Sequence, residues 1–321
     1  MTAGLISAMM PILYVAGSGR SGSTLLEMIL GQLPGVASVG ELKYVWTRGV
    51  LANRRCGCGE PFLECSFWRP VGEEAFGGWS NVDAERMSHL RSRAERTSAV
   101  LPALLAKRAG VRNRAWFDEY LETYERLYTG IGLVAGARLI VDSSKDLGHA
   151  FLVRGREEFD VRYLHLVRDS RGVAFSWQKR VPRPDVVGKR VDMPSKGALT
   201  STAGWLARNA VCHVLPERTM FMRYEALISS PRTEVERVLD HVGLDVEDGL
   251  LEFIGEGEVE LHPTHGIAGN AGRFSVGRVS LKEDNAWRSQ LRRRDRRIVS
   301  LLTWPFLVKY GYERLVPRLR P

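Results

Sequence analysis

Gly17, Gly19 and Gly22, with Arg20 between them and Ser23 and Thr24 behind, make up the stretch Gly17-Ser-Gly-Arg-Ser-Gly-Ser-Thr24, whose residue types suit anion capture. Glycines let the backbone turn tightly, so successive N–H groups and the positive end of a following helix face one point, where a phosphate fits. The spacing Gly17-x4-Gly22-Ser23-Thr24 nearly matches the nucleotide-triphosphate P-loop. Ser23, however, stands where that motif has the lysine that reaches the β- and γ-phosphates. Arg20 is the only cation of the loop. The stretch therefore points away from an ordinary ATPase and toward a relative that binds another phosphate. A P-loop kinase or other NTP-dependent phosphotransferase is the first rival, and a glycine-rich turn without a ligand is the plainest alternative.

Three more charged side chains stand just past apolar runs that read as strands. Glu41 follows Val36 to Val39, and is either a helix N-terminal charge or a carboxylate facing the crevice beyond the strand ends, where Arg20 would also lie. Lys145 follows Ala137 to Asp142 in Ser143-Ser144-Lys145-Asp146, as a solvated loop lysine or a second cation at a strand end. Arg168 ends Val161 to Val167, the most strand-like run of the chain, and is either a ligand-binding cation or the ion-pair partner of Asp169. Alternation within that run puts His165 on a face with Tyr163 and Val167, as a satisfied core histidine.

Around these residues the chain alternates strand and helix. Ile12 to Val15 predicts a first strand, and Ser23 to Leu33 a helix with Leu25, Leu26, Ile29 and Leu33 on the face that packs on a sheet, ended by Pro34-Gly35. From about 46 to 136 the pattern is Arg- and Glu-rich and helical, as in Val82 to Leu105 and Trp116 to Tyr128. Its aromatics Trp116, Phe117, Tyr120 and Tyr124 would serve as core or line an acceptor pocket. Lys179 to Ser201 is polar and punctuated by proline and glycine, so it predicts a mobile loop whose Lys189, Arg190 and Lys196 are either solvated or contact an anionic acceptor. A helix around Trp205 to Leu215, a strand over Thr219 to Arg223 and a helix from Thr233 to Val242 follow.

The glycine loop resembles the 5′-phosphosulfate-binding loop of the sulfotransferases that use 3′-phosphoadenosine 5′-phosphosulfate (PAPS), which have Lys or Arg at the position of Arg20. The resemblance runs in order from Pro11 to about Asn270. That family has an Arg followed eight positions on by a Ser, gripping the 3′-phosphate, and Arg168 and Ser176 reproduce the pair. A guanidinium fork pairs bidentately with phosphate, and a serine two helical turns later points the same way. Tyr224, after its strand, falls where the family has a nucleotide contact. Asn270 and Arg273, in a second glycine-rich basic loop, are similar to a Gly-Asn followed by Arg in bacterial members that closes over the cofactor phosphates. The branch most resembled contains the tyrosylprotein sulfotransferases and bacterial relatives, in which the glutamate at the place of Glu41 is the catalytic base.

The resemblance implies an α/β fold of three layers, P-loop-NTPase-like, with a central parallel sheet flanked by helices, in one domain over residues 1–321 with a helical insertion at about 46–136. It implies a sulfotransferase that moves a sulfuryl group from PAPS to a hydroxyl or amine. Gly19, Arg20, Ser21, Gly22, Ser23 and Thr24 would hold the phosphosulfate, and Glu41, Arg20 and Lys145 would act in catalysis. Arg20 would act electrostatically, since guanidinium keeps its proton. Ser143 and Ser144 intervene before Lys145, a departure from the branch, where the lysine follows closely behind the aspartate-ended strand.

The net charge of +9 suits a multiply anionic cofactor and also suits nucleic acid, the second rival. Nucleic-acid reader motifs and interleaved aromatics are absent, and the run Arg292 to Arg297 reads as a solvated helix face. Cys56, Cys58 and Cys65 cluster, but their nearest histidine in sequence is His89, so no metal is expected, only reduced thiols or a local disulfide. Leu5 to Val15 is apolar but shorter than the ~20 residues of a membrane span, and no Lys or Arg precedes it. No membrane span, no signal peptide and a cytoplasmic location are expected, with a small-molecule, glycolipid or peptide acceptor as partner and no nucleic acid.

Overall fold

A computed structural model of the chain describes residues 10–94, 115–153, 159–186, 191–215 and 218–314. Five strands form its main sheet: β1 (Met10–Gly17), β2 (Val36–Gly40), β3 (Leu139–Asp142), β4 (Phe159–Val167) and β5 (Met220–Arg223). They run parallel in the order β2-β3-β1-β4-β5. β1 is central because its residues are apolar on both faces, as a parallel strand covered by helices requires. Ile12 joins the core on one side, with Ile140, Trp46, Trp68 and Tyr124. Leu13 and Val15 join the core on the other, with Leu26, Ile29, Val235 and Val238. All are almost fully buried, and each aliphatic side chain among them stabilises the fold by about 1.5–3 kcal/mol.

The first of these cores lies under the helices Trp68–Phe76, Ala84–Ala94 and Ala115–Ala135. Phe117, Tyr120 and Tyr124 are buried in it, so these aromatics are core and none lines the main cavity. The second core is closed by α1 (Ser23–Leu30) and by the helix Pro231–Val242. The three-layer α/β architecture expected from the sequence is the one observed.

Boundaries shift in places. α1 stops at Leu30, three residues before the expected end, yet Leu33 stays buried. The helix expected at Trp205 already starts at Ala198, where Gly197 accepts the Ser201 N–H and Ala198 accepts the Thr202 hydroxyl. The polar loop before it is correspondingly shorter, and its Lys189 and Arg190 lie outside the described residues, as do 95–105 of the expected helix Val82 to Leu105. His165 is buried, with Nε2 2.8 Å from the Asn209 Oδ1, as a core histidine should be. Among the described residues no helix is long and apolar enough to cross a membrane.

Candidate active site

The carboxyl ends of β1, β2, β3, β4 and β5 all open on one side of the sheet, where ligands bind in open α/β folds. A cavity of about 450 Å³ lies there. From β1 comes the glycine loop, contributing Gly19, Arg20, Gly22, Ser23 and Thr24. β2 delivers Glu41, β3 delivers Lys145, β4 delivers Arg168, and Tyr224 follows β5. Ser176, on the helix Ser170–Gln178, and Asn270 complete the set of predicted residues that reach the cavity.

Local sequence dictates this convergence. Gly22 has φ 92°, and a Cβ there would lie 2.3 Å from the Tyr224 ring, so glycine is what lets the loop press against that side chain. Gly40, at φ 74°, turns the chain out of β2 where a Cβ would meet Ile267 O at 2.5 Å, and this close pass places Glu41. Arg20 and Lys145 carry positive φ values of 68° and 60°, a backbone strain that non-glycine residues show mostly at functional sites.

The two cations from opposite halves of the chain meet. Arg168 Nη1 donates to the Arg20 carbonyl at 3.2 Å, and its guanidinium lies 4.6 Å from the centroid of the Tyr224 ring. The ion pair expected as the alternative for Arg168 does not form, because Asp169 caps the following helix and binds Arg171 at 2.7 Å. Arg168 instead faces Asp284 at 3.2 Å, a carboxylate shared with Lys179. Arg20 stacks over Trp177, with its Nη2 buried and without a hydrogen-bond partner among the described residues, and the same holds for the Ser21 hydroxyl. Burial pushes the Arg20 guanidinium below its ordinary pKa, against the pull of Glu41, and Arg168 pushes it further.

Glu41 accepts from Lys145 Nζ at 2.9 Å, and the same ammonium donates to the Ser143 carbonyl at 2.8 Å. Burial alone would raise the Glu41 carboxyl, but Lys145, Lys43 and Arg48 outweigh it and hold the pKa at about 2. Glu41 is thus ionised throughout the neutral range. Behind the pair lies Glu27 of α1, which the sequence did not single out: it is buried, accepts from the Ser143 hydroxyl, and is raised by burial to about 8 despite Lys145.

Not every predicted residue reaches the cavity. Arg273 lies behind its loop, buried, 3.7 Å from Asp185 and donating to the Arg55 carbonyl, and does not line the main cavity. Asp185, the carboxylate that draws it there, is 175 positions from β1's first residue and gives no local signal in sequence. Ser21 has a buried hydroxyl and does not line the main cavity. Conversely, Tyr44 and Arg48 line the cavity without having been singled out in sequence, and Lys196, for which solvation or contact with an anionic acceptor was expected, lines it too. Arg48 lies over Tyr44 at 3.7 Å, an i,i+4 pair close after Glu41 that a helical reading of that segment would have put beside it. Lys196, half-buried, sits over Trp177 at 4.3 Å at the cavity wall. Among the described residues the lining carries five cations, Arg20, Arg48, Lys145, Arg168 and Lys196, against the single carboxylate of Glu41.

One cluster stands outside the cavity. Cys56, Cys58 and Cys65 have His265 among them, its Nδ1 3.4 Å from the Cys65 Sγ, so the fourth ligand type lacking near the cysteines in sequence is supplied from 200 positions downstream.

No protein-family model matches the chain, and no curated protein matches it. Among solved structures it is similar to the sulfotransferase domain of the Synechococcus PCC 7002 olefin synthase, at 20% identity over 96% of each chain, TM-score 0.44. It is also similar to the sulfotransferase domain from the curacin biosynthetic pathway, at 18% identity over 91% of this chain and 97% of the other, TM-score 0.44. Sulfotransferase STF9 from Mycobacterium avium gives 12% identity over 98% of this chain and 79% of the other, TM-score 0.44.

Proposed function

We propose that the chain is a sulfotransferase that takes its sulfuryl group from PAPS and passes it to a hydroxyl, or an amine, of an acceptor. The observation that carries this is the meeting of Arg168 with the Arg20 carbonyl at the rim of the glycine loop, in a cavity lined, among the described residues, by five cations and one carboxylate. Such a balance fits a ligand with several separate anionic groups. The buried Arg20 Nη2, without a hydrogen-bond partner among the described residues, fits an oxygen of that kind as well.

PAPS would supply an activated sulfuryl group on a phosphate leaving group. In this reading the glycine loop from Gly19 to Thr24 and Arg20 bind the phosphosulfate, and Arg168 and Ser176 bind the 3′-phosphate. Tyr224 and Asn270 bound the nucleotide, while Lys196 and Trp177 close the cavity from the polar loop. Arg20, being a permanent cation, stabilises developing negative charge. Glu41 accepts the acceptor's proton. With a pKa held at about 2 it is a weak base, so it takes that proton late, once the attacking oxygen has become acidic. Lys145 keeps Glu41 ionised and fixes its position. Arg273 is left with a supporting role beneath the loop.

A P-loop phosphotransferase is less well supported. Asp142, at the end of the strand beside β1, stands where such enzymes place the carboxylate that holds their metal. Here it is buried, accepts from the Tyr128 hydroxyl at 2.6 Å and from the Ser144 N–H at 2.7 Å, and does not line the cavity. Nucleic-acid binding leaves the cavity unexplained, since the run Arg292 to Arg297, at the start of the helix Arg293–Lys309, lies away from it. The same proposal takes the chain as one domain with a helical insertion at about 46–136, working in the cytoplasm on a small-molecule, glycolipid or peptide acceptor. Incubation with labelled PAPS and a metabolite extract, read by mass spectrometry, should show a labelled sulfuryl mass gain on an acceptor. Labelled phosphoryl transfer from ATP in its place would favour the phosphotransferase.

A further inference from the structure

We infer that Cys56, Cys58, Cys65 and His265 form a tetrahedral zinc site that fastens the cysteine loop to the loop bearing Asn270. The four ligand atoms all lie within 4.8 Å of one another. Cys58 Sγ is 3.6 Å from Cys65 Sγ, and the His265 Nδ1 is 3.4 Å from Cys65 Sγ and 3.7 Å from Cys56 Sγ. Zinc at ~2.3 Å from sulfur and ~2.0 Å from nitrogen, with tetrahedral angles, requires separations of about 3.8 Å between sulfurs and about 3.5 Å between sulfur and nitrogen. These three distances match that pattern, while the remaining pairs, within 4.8 Å, must draw together by up to about 1 Å. A single disulfide would engage two of the sulfurs at ~2.05 Å and leave the convergence of the third sulfur and the imidazole unexplained.

The surroundings suit a structural ion. Trp68 Nε1 donates to the His265 carbonyl at 2.8 Å, and the Phe67 ring stacks on the imidazole at 4.9 Å, so both sides of His265 are fixed. The Gly57 N–H donates to the Gly266 carbonyl at 3.1 Å, joining the two loops beside the ligands. Cys56 and Cys65 are buried while Cys58 and His265 are partly exposed, which leaves a route for the ion. Four protein ligands close the coordination shell, the mark of a structural rather than a catalytic zinc, and none of them lines the main cavity. This revises the expectation of no metal, which rested on the lack of a fourth ligand near the cysteines.

The ion would act on the neighbouring site through the backbone. Two residues past His265, Ile267 donates to the Val39 carbonyl at 2.9 Å and accepts from the Glu41 N–H at 2.8 Å, and Asn270 N donates to the Thr24 hydroxyl at 3.1 Å. Anchoring His265 therefore anchors Glu41 and the far wall of the cavity. The site rests on ligand geometry and stands apart from the proposed sulfuryl transfer.

The test uses the full chain, purified with reductant, stripped with a chelator and titrated with Co²⁺ and then Zn²⁺. Cobalt should give thiolate-to-metal charge transfer and the visible bands of a tetrahedral site, equimolar zinc should displace it, and zinc should raise the melting temperature. His265→Gln and Cys58→Ser should each weaken zinc by at least ~100-fold, since even groups behind the ligands are worth about 10–100-fold. Should either variant fail to fold, the wild-type cobalt spectrum still decides. No tetrahedral cobalt signature in folded, reduced wild type would overturn the inference, as would an unaltered spectrum in folded His265→Gln.

Discussion

Glu41 and Lys145 are the two side chains whose chemistry is most interdependent. A partly buried carboxylate beside an ammonium is ionised because of that neighbour, and the neighbour is itself held by the Ser143 carbonyl. Glu41→Gln should lower turnover by at least ~100-fold while leaving donor affinity nearly unchanged, the signature of a lost general base, as steady-state kinetics will show. Lys145→Met should have a different effect. In the wild type Glu41 loses its charge only near its pKa of about 2, so kcat/KM should stay flat from neutral pH down to about 5. Without Lys145, burial regains ground against Lys43 and Arg48, the carboxyl titrates at higher pH, and an acid limb should enter the measured profile. Identical profiles would mean that Lys145 does not set the state of Glu41.

The strands of the main sheet were the elements most open to reading in sequence, while the antiparallel pair Glu258–Leu261 and Gly277–Ser280 and the loops that meet across the fold were the least. β1 to β5 lie within two residues of their expected bounds because buried parallel strands are mostly apolar runs, interrupted in β4 by Arg162 and His165, that stop at glycine or charge. Arg20, Glu41, Lys145 and Arg168 were legible for the same reason, each standing just past such a run. Helix ends were less so, as at Leu30 and Ala198, where a glycine or a serine bond decides and periodicity does not. The turn of Arg273 toward Asp185, and the arrival of His265 among the cysteines, depend on partners far away in the chain that no local pattern announces. Glu27 belongs here too, since it ties α1 to the loop after β3 through the Ser143 hydroxyl. Its carboxyl stays protonated in the fold to about pH 8, whereas a free one releases its proton near 4.5. The unfolded chain therefore binds fewer protons in that window, and stability falls as pH rises through it. Glu27→Gln removes the titration, so its melting temperature should gain on wild type steadily from about pH 5 to about pH 9. Parallel melting curves would show that Glu27 is not buried as a neutral acid.

Taken as a whole, the molecule brings positive charge from segments far apart in sequence to one edge of one sheet. The overall charge of +9 does not by itself say what that charge meets, since a dispersed excess would serve nucleic acid as readily. Its local arrangement is more informative: Arg20 and Arg168, separated by 148 positions, share a hydrogen bond, and Arg168 is only partly balanced by Asp284. One cation would serve each end of a nucleotide with phosphates at both its 5′ and 3′ positions. Calorimetric titration of wild type and Arg168→Ala with adenosine 3′,5′-bisphosphate and with adenosine 5′-monophosphate separates these contributions. Wild type should prefer the bisphosphate by about 10–100-fold, the worth of a charge-assisted hydrogen bond of ~1.5–3 kcal/mol, and Arg168→Ala should lose that preference while still binding the monophosphate. Equal affinity of the wild type for the two nucleotides, or a preference that survives in Arg168→Ala, would contradict the account.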